Sequence, residues 1–190
     1  MARSSYHHGD LRRALFDALA DAILEVGPAA ISLRDLARRA GVSHAAPAYH
    51  FGDKRGLLTA FAVEGYELLD GALAQAAESS GADFTEVGVA YVRFAIEHRG
   101  HFEVMFRPEL LRRDDPDLVD AARRSSAHLR AGAVTEAAIT RSSDGEAATI
   151  AAWSLMHGLA TLWLGGNIPA GYGPPEALAR RVARALETSR

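Results

Sequence analysis

Apolar residues recur every three to four positions along almost the whole chain, and no stretch alternates apolar and polar residues for long enough to make a half-buried strand. That period restricts the chain to an all-α fold, in which each helix buries one stripe against its neighbours. A first helix is expected over 10–26. Leu11, Leu15, Ala18, Ala22 and Val26 line one face, Phe16, Leu19 and Ile23 widen it, and Gly27-Pro28 ends it. A short helix is expected over 33–40, opened by the capping-box pattern Ser32-Leu33-Arg34-Asp35 and closed by Gly41. Val42 then bridges into the core, Ser43 caps a third short helix over 44–50, and Asp53 caps a long helix over 54–78. Ser79-Ser-Gly-Ala-Asp83 has the composition of a linker. The chain is therefore expected to divide into a domain of residues 1–58, a connector in the long helix, and a domain of residues 79–190.

Beyond the linker a helix over 84–99 carries Val87, Tyr91, Phe94, Ala95 and His98 on one face, and Gly100 is expected to stop it. A short aromatic helix within 101–111 breaks at Pro108, and Asp114-Asp115-Pro116 opens a helix reaching 140. A polar turn at 141–145, a helix over 146–164, a Gly/Pro loop at 165–175 and a last helix over 176–188 bring the total to about nine helices.

Composition removes several classes of function. With 190 residues, 48% of them hydrophobic, the chain can bury one substantial core or two small ones. It has no cysteine, which excludes disulfide scaffolds, thiolate metal sites and cysteine nucleophiles, and which fits a reducing compartment. The most apolar stretches, Ile150–Leu164 and Phe61–Leu73, are too short and too interrupted to span a bilayer. The opening Met1-Ala-Arg-Ser-Ser-Tyr-His-His has no apolar signal region, so a cytoplasmic location and no membrane partner are expected. A net charge of −3 argues against coating nucleic acid by bulk charge. The average conceals an asymmetry: residues 1–55 hold eight Lys/Arg against six Asp/Glu, whereas 56–190 hold 13 against 18. Lys54 is the one lysine beside 20 arginines.

Two short helices separated by Gly41-Val42-Ser43, behind a longer buttressing helix, form the geometry in which the second can enter a DNA major groove. Leu33, Leu36, Ala37, Val42 and Phe51 can pack inward. Arg34, Arg38, His44, Ala45, Tyr49 and His50 are left to face outward. Tyr6-His7-His8-Gly9-Asp10-Leu11, the run from Ile31 to Ser43, and the run from His44 to Leu58 together resemble the N-terminal domain of the tetracycline-repressor (TetR) family.

This resemblance implies a DNA-binding transcriptional regulator, not an enzyme. It also implies phosphate contacts from Ser32 and Lys54 at two helix starts, and from Tyr49 and His50 at the end of the recognition helix. Arg34, Ser43, His44, Ala45 and Ala46 are the candidates for base and near-base contacts, Arg34 having the fork for a bidentate contact to guanine. Two positions depart from the family pattern. Ala48 stands where most relatives carry a tyrosine, Tyr49 following it, and Pro47 falls in the middle of the expected helix.

In the C-terminal half, Trp153, His157 and Gly158 resemble the signature of a C-terminal domain type named WHG within the same family. By that resemblance the last two helices pack against their copies in a homodimer. Trp153, Met156, His157 and Ala160 share a helical face, and Gly158 permits another helix to come close. The aromatic and histidine residues Tyr91, Phe94, His98, Phe102, Met105, Phe106, Trp153, His157 and Trp163 cluster beyond what a tight core needs. They suggest a mostly apolar effector pocket between helices five to eight, with His98 and His157 as polar contacts. Plain core packing is the alternative for each of them. His98 and His101 have the i, i+3 spacing of a shared metal site, but Gly100 interrupts them and no third ligand has an assigned place. No metal and no cofactor is therefore expected. The expected function is a ligand-responsive regulator, a repressor, that binds a pseudo-palindromic operator as a dimer and is released by a small, mostly apolar effector, with a helical protein-interaction module and, behind it, a metal-dependent enzyme as the alternatives.

Overall fold

The computed structural model describes residues 4–81, 83–135 and 145–187. Residues 141–144 of the turn expected at 141–145, the helix end at 136–140 and Thr188 lie outside them, and Gly145 opens a helix. Among the described residues there are nine α-helices and no strand. They are α1 (Ser4–Val26), α2 (Leu33–Arg39), α3 (Ala46–Phe51), α4 (Lys54–Ser80), α5 (Phe84–Glu97), α6 (Arg99–Met105), α7 (Pro116–Thr135), α8 (Gly145–Leu164) and α9 (Pro175–Glu187).

Helix α1 starts six residues before the expected Asp10, because one glycine, Gly9, costs only about 1 kcal/mol in a helix interior and does not stop it. Val26, expected on the buried stripe, is exposed at the point where the chain turns away through Gly27. The end of α2 is a Schellman turn, in which Val42 N–H donates to the Ala37 carbonyl and Gly41 N–H to the Arg38 carbonyl. This geometry needs a left-handed residue, and Gly41 supplies it at φ 66°.

Three sequence expectations in this region are corrected. The capping box at Ser32 does not form: no side-chain bond caps α2, and the Asp35 carboxylate binds Arg38 and Arg39 instead, since charge-assisted pairs outcompete a neutral amide. Helix α3 begins at Ala46, not His44, and Ser43 offers its backbone carbonyl to Ala46 N–H without a side-chain cap. Pro47 therefore sits in the first turn, where its missing N–H would have had no partner, and it is buried without breaking the helix. Asp53 behaves as expected, its carboxylate accepting Gly56 N–H at 2.7 Å at the start of α4. Asp115 likewise accepts Asp117 and Leu118 N–H ahead of α7.

The chain forms two compact units that do not follow its order. Unit one holds residues 1–65 and 99–119, so α6 and the segment after it, expected with the C-terminal half, pack with the N-terminal helices. Leu15, Phe16, Leu19 and Ile23 of α1 are buried there together with Leu36, Leu57, Leu58, Phe61, Phe102 and Met105. The Phe16 ring stacks on Phe51 at 5.7 Å and meets Phe61 edge-on at 5.3 Å, which ties the last residue of α3 to α1 and α4. Gly100 does not end a helix as expected, since α5 stops at Glu97 and Gly100 lies inside α6. There a Cβ would stand 3.1 Å from the Ala20 backbone, so its lack of a side chain lets α1 and α6 touch.

Unit two holds residues 66–98 and 120–190. Helix α5 is its centre, packed against α8 and α9 through buried Val87, Tyr91, Phe94, Met156, Ala160, Leu178 and Ala183. Asp83 caps α5 by accepting Glu86 N–H, and Arg180 of α9 grips the Glu86 carboxylate with two bonds of 2.7 and 2.8 Å. Close approach of α8 occurs at Gly88, where a Cβ would meet Met156 Sδ at 3.1 Å. At Gly158, where it was expected, a Cβ would meet nothing within 4 Å.

Replacing Gly41 by Ala should lower unfolding free energy by about 1 kcal/mol through the positive φ alone. Gly56→Ala should cost more, because its Cβ would collide with the Phe51 carbonyl oxygen. Urea titrations with an unchanged m value check both.

Candidate functional site

Helix α2 carries three arginines, and their electrostatic states differ. Asp35 takes Arg38 at 2.6 Å and Arg39 at 2.7 Å, and Glu25 of α1 takes the other arm of Arg39 at 2.7 Å. The guanidiniums of Arg38 and then Arg39 hold the Asp35 carboxyl below its ordinary value, and Arg39 does the same for Glu25. Arg34 is exposed and has no hydrogen bond or ion pair among the described residues. The local sequence thus neutralises two cations and leaves the third, on the first turn of α2, able to bind an external acceptor.

The remaining predicted contacts lie in the same unit, and most of them are exposed. Ser32, Ser43, His44, Ala45, Tyr49 and His50 are exposed, and Ala46 is half-buried. Tyr49 is 84% exposed and meets the His50 ring edge-on at 5.2 Å. Its position late in α3, after buried Pro47 and before Phe51 in contact with Phe16, directs it outward despite the offset in sequence. Lys54 is half-buried, and its Nζ donates to the Ala29 carbonyl at 2.5 Å, three residues before Ser32. One of its three donors is used, and the charge is held beside the start of α2.

Sequence reasoning missed the partners of this surface that come from far along the chain. Arg112 binds the Asp53 carboxylate at 3.0 Å, its N–H donates to Thr59 Oγ1 at 2.9 Å, and Arg55 donates to the Glu109 carbonyl at 2.9 Å. No local pattern links residues 59 apart, so no signal in the sequence pointed to them.

The predicted pocket residues divide between the units. Phe102, Met105 and Phe106 pack in unit one, the two phenylalanine rings at 5.3 Å. Tyr91, Phe94, His98, Trp153 and His157 belong to unit two, where Phe94 and His98 rings lie 5.1 Å apart. Trp153 Nε1 donates to the buried Tyr91 hydroxyl at 3.2 Å, and that hydroxyl lies 2.8 Å from His157 Nδ1. The hydroxyl can donate to Nδ1 only if His157 is neutral with its proton on Nε2. Burial agrees, pushing the Tyr91 phenol up and the His157 imidazolium down. His101 stacks on Phe61 at 3.8 Å and faces Glu64 at 3.5 Å.

Residues 84–186 match the family model described as the tetracyclin repressor-like C-terminal domain, and residues 15–61 match that of the bacterial regulatory proteins of the tetR family. The chain belongs to the TetR family. Over 49 residues it is 51% identical to the HTH-type transcriptional regulator BetI of Klebsiella pneumoniae (strain 342), covering 26% of this chain and a quarter (25%) of that relative. A protein of unknown function from Rhodococcus sp. RHA1 is 32% identical, with a TM-score of 0.76 over 98% of this chain and 96% of that one. The TetR-family transcriptional regulator PfmR from Thermus thermophilus has a TM-score of 0.70 at 24% identity, over 90% and 96% of the two chains. This TetR-family chain is a DNA-binding transcriptional regulator rather than an enzyme. None of its helices, among the described residues, is long and apolar enough to cross a membrane.

Against a duplex selected by the wild-type protein from random sequence, Arg34→Ala should lose about tenfold or more in affinity and relax the preference at one base pair. Lys54→Ala should weaken selected and unselected duplexes alike and flatten the salt slope of log K by about one per site. Titrations at several salt concentrations distinguish the two. For His157 the folded pKa lies below the ordinary 6.5, so the unfolded chain binds the proton first as pH falls. Stability should therefore decline below about pH 6.5 and level off below the folded pKa. His157→Gln should remove that part of the slope in denaturant titrations run from about pH 7.5 to 5.

Proposed function

We propose that this regulator is a cytoplasmic repressor that binds a pseudo-palindromic operator as a homodimer and is released by a small, mostly apolar effector. The observation that carries the reading is the unpartnered Arg34 beside the neutralised Arg38 and Arg39, in the unit that also exposes Tyr49. A surface built for bulk attraction would have left all three charges open. This one reserves a single fork for base contact and uses Ser32, Tyr49, His50 and Lys54 to register on phosphate. Residues 1–58 act as the reading head, and residues 79–190 take the effector and the second copy.

Helix α8 supports the homodimer. Ile150, Ser154, Gly158 and Leu162 stand four residues apart on one ridge, with Ile150 54% and Leu162 50% exposed and open space above Gly158. A second α8 laid there would cover the apolar ends and use the glycine for close approach. The Tyr91, Trp153 and His157 chain supports the effector site, since it sets a few polar atoms of fixed orientation among apolar side chains. Two subunits then offer recognition helices to successive major grooves about 34–36 Å apart. An effector that favours a dimer of different spacing lowers operator affinity in proportion to its preference for that state.

The two tryptophans, Trp153 and Trp163, give a direct readout. In a panel of small apolar compounds, one that releases labelled duplex should change tryptophan emission over the same concentration range, and Tyr91→Phe should shift both curves together. Release without a change in emission contradicts the proposed effector site. Sedimentation should give twice the 20.3 kDa chain mass. A Leu162→Glu variant should sediment as a monomer, and one that stays dimeric contradicts the α8 interface.

A further inference from the structure

Helix α3 has six residues and ends at Phe51, and α4 begins at Lys54. A helix this short is not self-sustaining, so its direction depends on what holds its ends. One end is fixed by the Phe51 ring on Phe16. The joint to α4 runs through Gly52, at φ 77°, and Asp53. Here a single carboxylate oxygen, Asp53 Oδ1, accepts Gly56 N–H at 2.7 Å and the Arg112 guanidinium at 3.0 Å. The same two donors, Gly56 first and Arg112 second, hold that carboxyl below its ordinary value.

Arg112 is itself held in place. Its N–H donates to Thr59 Oγ1, whose hydroxyl donates to the Arg55 carbonyl, and the Arg55 guanidinium returns to the Glu109 carbonyl. Thr59 is 2% exposed and Leu111 4%. The guanidinium carbon would stand 3.1 Å from a Cβ at Gly56, so the arginine lies closely over the first turn of α4. Residues 109–112 therefore form a strap across the start of α4, pinned by three hydrogen bonds and one apolar anchor. The strap lies in the part of the chain matched by the C-terminal family model, yet it packs with the reading head.

We propose that Arg112 is a positioning residue for the recognition helix, holding the α3–α4 joint through Asp53 while making no contact with DNA itself. Helix α7 follows the strap after three residues, from Pro116. The proposal rests on α3 being the recognition helix.

The test uses the full chain with Arg112→Gln and Arg112→Lys. Hydrogen exchange at the amides of Tyr49 and Gly52, which bond to the carbonyls of Ala45 and Ala48, should quicken about threefold to tenfold in the Gln variant and much less in the Lys variant. Exchange in α1 should stay as in the wild type. Affinity for the selected duplex should fall about threefold to tenfold, with the unselected duplex and the salt slope unchanged. In an Asp53→Asn background, where the capping oxygen remains and the charge is lost, Arg112→Gln should add less than about twofold. Unchanged exchange over 46–53 overturns the proposal. So does an equal loss on both duplexes with a salt slope lower by about one, which would make Arg112 a phosphate contact. Faster exchange throughout unit one overturns it as well, since the role would then be general stability. The exchange measurement needs no DNA, so a wild-type chain that selects no duplex fails the recognition reading separately.

Discussion

Asp53 stands where a six-residue helix gives way to one of 27 residues, and its carboxylate joins the cap of α4 to a guanidinium from 59 residues further on. The geometry of the reading head depends on this joint. Helix α3 cannot hold its own direction, and its exposed residues are useful only if Tyr49 and His50 keep a fixed relation to Arg34 on α2. The Schellman turn at Gly41 sets the angle between α2 and the chain leading to α3, the Phe16–Phe51 contact anchors the far end, and Asp53 fixes the exit. Each is a single small contact, so the head is a set of modest constraints acting on one short element.

Charge in this molecule is arranged by pairing rather than by excess. The net value of −3 gave no sign of a nucleic-acid partner, and the slight basic surplus of the first 55 residues is partly cancelled within the fold. Asp35 and Glu25 consume Arg38 and Arg39, and Arg34 is spared. On the proposed reading, such a surface would bind unselected DNA weakly and draw its discrimination from a few groups at base edges.

Much of this was legible from helical period and punctuation. The all-α class, the order of the helices, the Asp53 cap, the Gly41 stop and the outward residues of α3 follow from patterns within a few positions of one another. Errors arose where a local pattern met a stronger partner from elsewhere. Ser32 and Asp35 have capping-box spacing, but two arginines one turn on claim the carboxylate. Gly100 reads as a stop, but its role is set by Ala20 on another helix. Gly158 reads as a packing glycine, but within the chain that role falls to Gly88 against Met156. Tyr91, Trp153 and His157 share an aromatic character that the sequence displays, while the hydrogen bonds that join residues 62 and 66 apart have no sequence signature.

The central claim is that two copies of this head read a symmetric site, and protection of DNA by the purified protein tests it most directly. On the DNA flanking its own gene, cleavage footprinting should reveal two protected half-sites on one face of the duplex, centred about 34–36 Å apart, with inverted sequence symmetry. Protection of a single half-site, or featureless protection that disappears uniformly with added salt, would contradict the account.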